Sequence, residues 1–259
     1  MANDQAENKE KGKESEDMGF LGHLGELRSR IIWSLVGVII GAIISGVYIN
    51  EIMEIILLGP ANDVKLGLQN LRPFGQPFLY FKVVFVVGFI LAFPFILYQL
   101  WKFVKPGLYP SEKKWVSSIT FFTSLCFLSG VAFAYFVMIP SMLNFAAQFG
   151  TDQIINMIDV NEYFSFITMM LLAAGLLFEM PMVTYILSRI GMLTPRFMQK
   201  YRRHAIIVIL ILAAVITPTP DPVTQLIFAS PLFILYELSI IIARFGMKKH
   251  ETSGEEKAR

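Results

Sequence analysis

Apolar residues in this chain are gathered into long, nearly unbroken runs. They cover Ile31–Ile49, Phe78–Val104, Val116–Ile139, Phe164–Leu187, Ala205–Ile216 and Val223–Ala243. Roughly 20 such residues, rising about 1.5 Å each, cross a hydrocarbon core of about 30 Å. No water is available at that depth, so each run predicts a helix whose backbone bonds close internally. The predicted fold class is all-α, a polytopic membrane protein with six transmembrane helices. The fifth run is the weakest, because its twelve residues reach only about 18 Å. It is kept as a span because dropping it would put the last two basic segments on opposite sides of the membrane.

Proline punctuates the pattern. Pro106 and Pro110 follow the second run, Pro140 the third, and Pro218, Pro220 and Pro222 separate the last two. Pro94, Pro181 and Pro231 fall inside runs, where they predict kinks. The first 19 residues and the segment 246–259 are charged with both signs interspersed, and they read as disordered tails around a membrane domain over 20–245. The N-terminal tail has no apolar stretch ending in a small-residue cleavage site, so it does not read as a cleaved signal peptide.

Charge supplies the orientation. Lys9, Lys11, Lys13, Arg28 and Arg30 precede the first run, and Lys102, Lys105, Lys113 and Lys114 lie between the second and third. Arg189, Arg196, Lys200, Arg202 and Arg203 lie between the fourth and fifth, and Arg244, Lys248, Lys249, Lys257 and Arg259 follow the sixth. The remaining basic residues are Lys65, Arg72 and Lys82. This asymmetry predicts that both termini are cytoplasmic, and six spans make the alternation consistent. Composition agrees: 55% of residues are hydrophobic and 16% charged, against about 25% charged in soluble domains. A net charge of +2 gives no reason to expect nucleic-acid binding. The lone cysteine, Cys126, excludes an internal disulfide and reads as a small core residue.

Several chemistries lack their residues. His23, His204 and His250 sit at cytoplasmic edges or in a tail, and every aspartate lies in a tail or loop. No zinc, serine or aspartyl protease set therefore falls at membrane depth, and no Gly-rich phosphate loop is present. The chain reads as a non-enzyme with no metal and no cofactor.

Four positions within or beside the runs stand out. Glu179, in Phe178–Glu179–Met180–Pro181, places a carboxylate well inside the fourth run, at a cost of several kcal/mol unless it faces protein, water or a partner. Pro181 also strips the donor from the carbonyl four residues earlier, so a polar notch is expected; a protonated acid bonded to a neighbouring helix fits the sequence as well. Glu237 lies seven residues before Arg244 on the same helical face, which suggests a structural ion network. Thr224 and Gln225 open the sixth run and could bond another helix in lipid or simply cap their own. Gly37 and Gly41 form a small-residue pair suited to close helix packing. On the cytoplasmic face, Glu26 and Glu112 are acids among bases. Together they would suit a guanidinium ligand, and separately they could pair with Arg28, Arg30, Lys113 or Lys114.

The segment His23–Leu24–Gly25–Glu26–Leu27–Arg28 resembles the N-terminal motif of the TatC family. Pro94–Phe95 with Tyr98–Gln99, then Trp101, Phe103 and Pro106–Gly107–Leu108–Tyr109–Pro110–Ser111–Glu112, resembles that family's second span and first cytoplasmic loop. Phe178–Glu179–Met180–Pro181 resembles its fourth-span element, and the stretch from Thr217 to Gln225 its tight periplasmic turn. Thr224 departs mildly, since the family usually has serine there.

The resemblance covers about residues 20 to 245. It implies six helices in a cupped bundle in the cell's inner, cytoplasmic membrane, acting as receptor and core subunit of a translocase that exports folded proteins on proton-motive force. Glu26 and Glu112 would then hold the paired arginines of signal peptides, and Glu179 would be the mid-membrane polar residue of the concave face. Gln225, with Thr224, would contact small single-span partner subunits of the TatA/TatB type in an oligomeric complex. A secondary transporter for a small solute, with Glu179 as proton relay, is the alternative that hydropathy alone leaves open.

Overall fold

The structure, a computed structural model, describes residues 2–64, 67–104, 116–148, 157–189, 191–216 and 222–257, without the side chains of 2–23, 63, 116, 216, 224 and 245–257. Helix α1 (Ala2–Val47) leads into a short α2 (Ile49–Glu51), a π-helical turn over Ile52–Leu57 and α3 (Gly59–Asp63). Strand β1 (Gly67–Gln69) precedes α4 (Gly75–Val104). Helix α5 (Val116–Phe133) continues through a second π-helical segment (Ala134–Met138) into α6 (Ile139–Gln148). Strand β2 (Met157–Asp159) is followed by α7 (Val160–Leu177), α8 (Met180–Arg189), α9 (Pro195–Lys200), α10 (Arg202–Ile216) and α11 (Pro222–Lys257).

Among the described residues five stretches are long and apolar enough to cross a membrane: Leu24–Val47, Gly75–Val104, Ser117–Gln148, Val160–Arg189 and Gln225–Arg244. Helix α10 has 15 residues and falls short. At about 1.5 Å per residue it reaches roughly 22 Å. Other elements depart from the sequence expectations. Helix α1 extends back to Ala2 and α11 on to Lys257, through segments whose composition suggested disordered tails. Both segments are rich in Glu and Lys, which lose little rotamer freedom in a helix. Pro140 does not end the third run: it occupies the first turn of α6, directly after the π-helical segment, where its missing N–H costs little.

Helices α1 and α4 pack antiparallel through backbone. A Cβ on Gly88 would stand 2.5 Å from Ala42 N, and one on Gly37 would stand 2.5 Å from Phe95 Cδ1. Gly41 faces the Gly88 carbonyl at the same crossing. Both members of the small-residue pair thus serve packing inside the fold. The core continues between α4 and α5, where Phe93 stacks on Phe127 with ring centroids 3.5 Å apart. Phe164, Ile167 and Met170 of α7 belong to the same buried cluster.

Several buried hydroxyls are satisfied locally, although Ser188 Oγ has no partner among the described residues. Ser45, Thr123, Ser124 and Thr168 each donate to the carbonyl four residues back, at 2.6 to 2.9 Å. Such bonds let polar residues sit in apolar helices without an interhelical partner. One end of the bundle is tied by a parallel β1–β2 pair, Gly67 opposite Met157 and Gln69 opposite Asp159. Asp159 caps α7, its Oδ1 accepting from the N–H of Asn161 at 2.7 Å and of Glu162 at 3.3 Å, and its Oδ2 accepting from the N–H of Leu71 at 3.3 Å. Tyr163 donates its hydroxyl proton to the Leu57 carbonyl at 2.8 Å, joining α7 to the first π-helical turn.

Candidate functional site

The first candidate acid lies at the end of the bundle opposite the β pair. Helical spacing puts Glu26 and Arg30 on one face of α1, and Arg30 Nη2 donates to Glu26 Oε1 at 3.0 Å. The same guanidinium reaches across to α4, where Nη1 donates to Gln99 Oε1 at 3.4 Å. Gln99 is only 6% exposed, so the amide is a fixed post in the helix interface. The side chains of Arg30 and Glu26 remain 21% and 30% exposed. Arg30 Nε is buried with no hydrogen-bond partner among the described residues. The arrangement is a half-buried carboxylate that already holds a guanidinium at one oxygen. Of the local pairings the sequence allowed, the one with Arg30 is formed among the described residues, and Lys113 and Lys114 lie outside them. Glu112 lies outside the described residues, so no distance joins it to Glu26.

The second acid sits where the fourth apolar run breaks. Phe178 N–H still bonds the Ala174 carbonyl at 3.0 Å, but Glu179 N–H turns to Leu176 at 3.2 Å. The Leu177 carbonyl would need the N–H of residue 181, which proline lacks. Helix α7 therefore ends at Leu177 and α8 restarts at Met180, with Glu179 in the joint. Its side chain is 7% exposed, and neither carboxylate oxygen has a partner among the described residues. The notch expected from sequence is there, without the bond to a neighbouring helix.

The helices beside the break are closely packed. A Cβ on Gly130 of α5 would meet the Ala174 carbonyl at 2.6 Å, and one on Gly175 would meet Phe127 Cε2 at 2.6 Å. Phe133 and Phe178 lie side by side with centroids 5.7 Å apart. An apolar void of about 10 Å³ beside them is bounded by Leu177, Phe228 and Leu232 as well. That is room for one water at most.

The remaining candidates divide. Glu237 pairs with Arg202 of α10, Nε to Oε1 at 2.7 Å, and not with Arg244 two turns along its own helix. Both partners are exposed, so the pair is a surface link worth little. Spacing within one helix could not reveal it, because the partner comes from another element. Gln225 donates its amide Nε2 to the Leu210 carbonyl at 3.0 Å, tying α11 to α10. Thr224 lies in the first turn of α11, and its side chain is not described. No cluster of three or more potential metal ligands occurs among the described residues.

Sequence reasoning also missed polar contacts between helices at Gln99 and Lys82. Gln99 was visible only as one letter of a longer motif, although an amide inside an apolar run is itself a signal. Lys82 of α4 donates to Ser165 Oγ of α7 at 2.7 Å, near the β-paired end. A larger groove of about 290 Å³ at that end lies between α6 and α7, with Glu162 and Tyr163 among its lining residues.

Residues 22–231 match the family described as Sec-independent protein translocase protein, TatC. A TatC protein of Carboxydothermus hydrogenoformans is 39% identical over 244 residues, covering 94% of this chain and all of that protein. A TatCy protein of Bacillus subtilis is 34% identical over 237 residues, covering 91% of this chain and 92% of the relative. A solved structure described as the twin arginine translocase receptor TatC superposes with a TM-score of 0.73 at 36% identity, over 86% of this chain and 99% of that one.

Proposed function

This chain belongs to the TatC family, whose members are non-enzymatic components of the Sec-independent, twin-arginine protein translocase, and we propose that it is the subunit that first receives the signal peptide. The description of its structural relative as a receptor supports this reading. The observation that carries it is local. At the start of the apolar stretch Leu24–Val47 of α1, Glu26 already engages a guanidinium at 3.0 Å, the chemistry an arriving arginine needs. In the proposed site Glu26 and Glu112 together hold the signal's paired arginines, each acid able to accept two parallel bonds from a planar fork of donors.

The wider topology belongs to the same proposal. Helix α10 acts as a sixth, short span that thins the bilayer locally. The Lys- and Arg-rich segments then share one side, which places both termini in the cytoplasm and the chain in the cytoplasmic membrane. The signal's apolar stretch lies along the broken α7–α8 helix near Glu179. Gln225 and Thr224 meet single-span partner subunits, and movement of the folded cargo draws on proton-motive force. The small-solute transporter reading is not supported, since every relative named above is a translocase protein.

The test is a crosslinking experiment with a twin-arginine precursor in membranes containing the whole translocase. Replacing Glu26 and Glu112 together with Gln is expected to abolish the crosslink from the signal's arginine region. An undiminished crosslink in the double variant would defeat the reading.

A further inference from the structure

We propose that Arg30 is a built-in competitor for Glu26, a residue that stands where the signal's arginine must go and so sets the affinity threshold of the site. The inference rests on the receptor reading given above and deepens it. Arg30 occupies Oε1 of Glu26 at 3.0 Å, one of the two oxygens that a bidentate ligand requires. A guanidinium seated on both oxygens would have to share Oε1 with Arg30 and stand against its like charge, so it binds fully only as Arg30 gives way.

Arg30 is not a loose surface partner. Its Nη1 is tethered to Gln99 Oε1 on α4 at 3.4 Å, and Gln99 is fixed in the helix interface. The tether keeps the competing cation beside Glu26 at high effective concentration. Yet the hold is incomplete, because Arg30 Nε is buried without a partner among the described residues and Nη2 has Glu26 alone. A guanidinium can donate five hydrogen bonds, and this one makes the two described. Displacement therefore costs a single charge-assisted bond, while the link to Gln99 can persist and keep Arg30 from being stranded.

The consequence is a threshold. An arriving arginine exchanges one guanidinium for another and gains the second parallel bond. An ammonium, a point charge without the fork, pays the same displacement and gains less. Competition lowers both affinities by one common factor, so a signal with weaker cations drops below useful occupancy. A merely structural Arg30, one that only props Glu26 in place, would raise affinity, and its loss would weaken binding. The two roles predict opposite signs.

The experiment uses the full chain in membranes with its partner subunits. It titrates a precursor carrying a twin-arginine signal and the same precursor with the pair changed to lysines. With Arg30→Gln, both affinities are expected to rise by a common factor of about two to five, the worth of one partly exposed ion pair. Gln99→Met removes the tether but keeps the charge, and should give a smaller rise with both precursors. It also carries the test if Arg30→Gln fails to fold. Weaker binding, or unchanged binding, in a folded variant would overturn the inference. Glu26→Gln in the same assay separates the two levels. If that change leaves binding intact, the receptor reading at Glu26 fails; if it abolishes binding while Arg30→Gln gives no gain, only the competitor falls.

Discussion

Glu26 and Glu179 are both acids beside lipid, and they are housed in opposite ways. Glu26 sits midway along α1, at the start of its apolar stretch, 30% exposed, with a guanidinium on one oxygen. Glu179 sits in a helix break, 7% exposed, with no partner on either oxygen among the described residues. The first is a charge supplied with its counter-ion and open to exchange. The second is a polar group enclosed without compensation, an arrangement that normally destabilises a fold. The contrast teaches that the two acids are suited to different ends: on the proposed reading Glu26 swaps a cation, whereas Glu179 has no partner among the described residues.

The support beneath each acid differs too. The first span is only 11% buried, against 33% to 44% in the other four. Helix α1 therefore depends on its crossing with α4, where Gly41 and Gly88 let the backbones touch. The largest effect is expected from breaking that crossing. Gly88→Val would push a side chain into Ala42, whose N lies 2.5 Å from the new Cβ and belongs to backbone that cannot rotate away. A loss of about 3 kcal/mol is expected, at the upper end for overpacking. Arg30 should part from Gln99 as α1 shifts, while the α5–α7 packing around Glu179 persists. Thermal unfolding in detergent, with cysteine crosslinks placed separately across α1–α4 and α5–α7, reads both. Equal loss at the two interfaces would mean that the regions are not independent.

How far the sequence reached follows the same line between local and distant. Apolar runs are local, and helices lie on each of them. The Glu179 break was legible because proline acts within four residues of its own position. The Arg202–Glu237 pair, the Arg30–Gln99 bridge and the β1–β2 pairing join positions far apart in sequence, and nothing near either partner announces the other. Pro140 misled because a π-helical segment just before it lets the helix restart with proline in its first turn.

A pair of leucine substitutions sets the two acids against each other. Replacing Glu179 with Leu removes a buried group that has no described bond to lose, so the isolated chain should gain about 1 to 2 kcal/mol. Glu26→Leu leaves Arg30 half-buried without its anion and should cost about 1 kcal/mol. Melting temperatures of the purified variants should move in opposite directions. If Glu179→Leu destabilises, a partner for that carboxylate exists within the chain and the contrast between the two acids collapses.

A third carboxylate marks the far end of the comparison and gives the smallest effect. Burial by itself would raise the affinity of Asp159 for its proton. The backbone N–H and side chain of Asn161 and the N–H groups of Glu162 and Leu71 outweigh it, and they hold the group below its ordinary 3.8. A carboxyl whose pKa is lowered on folding contributes stability that is fully present above the unfolded value and is lost as pH falls through the folded one. Acidifying the protein toward and below 3.8 should therefore lower its melting temperature through this group. Asp159→Asn cannot ionise. It keeps an oxygen for the α7 cap, yet its amide nitrogen cannot accept from the Leu71 N–H that now bonds Oδ2 at 3.3 Å. The variant should start slightly less stable at neutral pH and show a shallower decline in acid. Parallel acid melting curves for parent and variant would mean that the Asp159 charge does not help hold α7 to the strand-bearing segment.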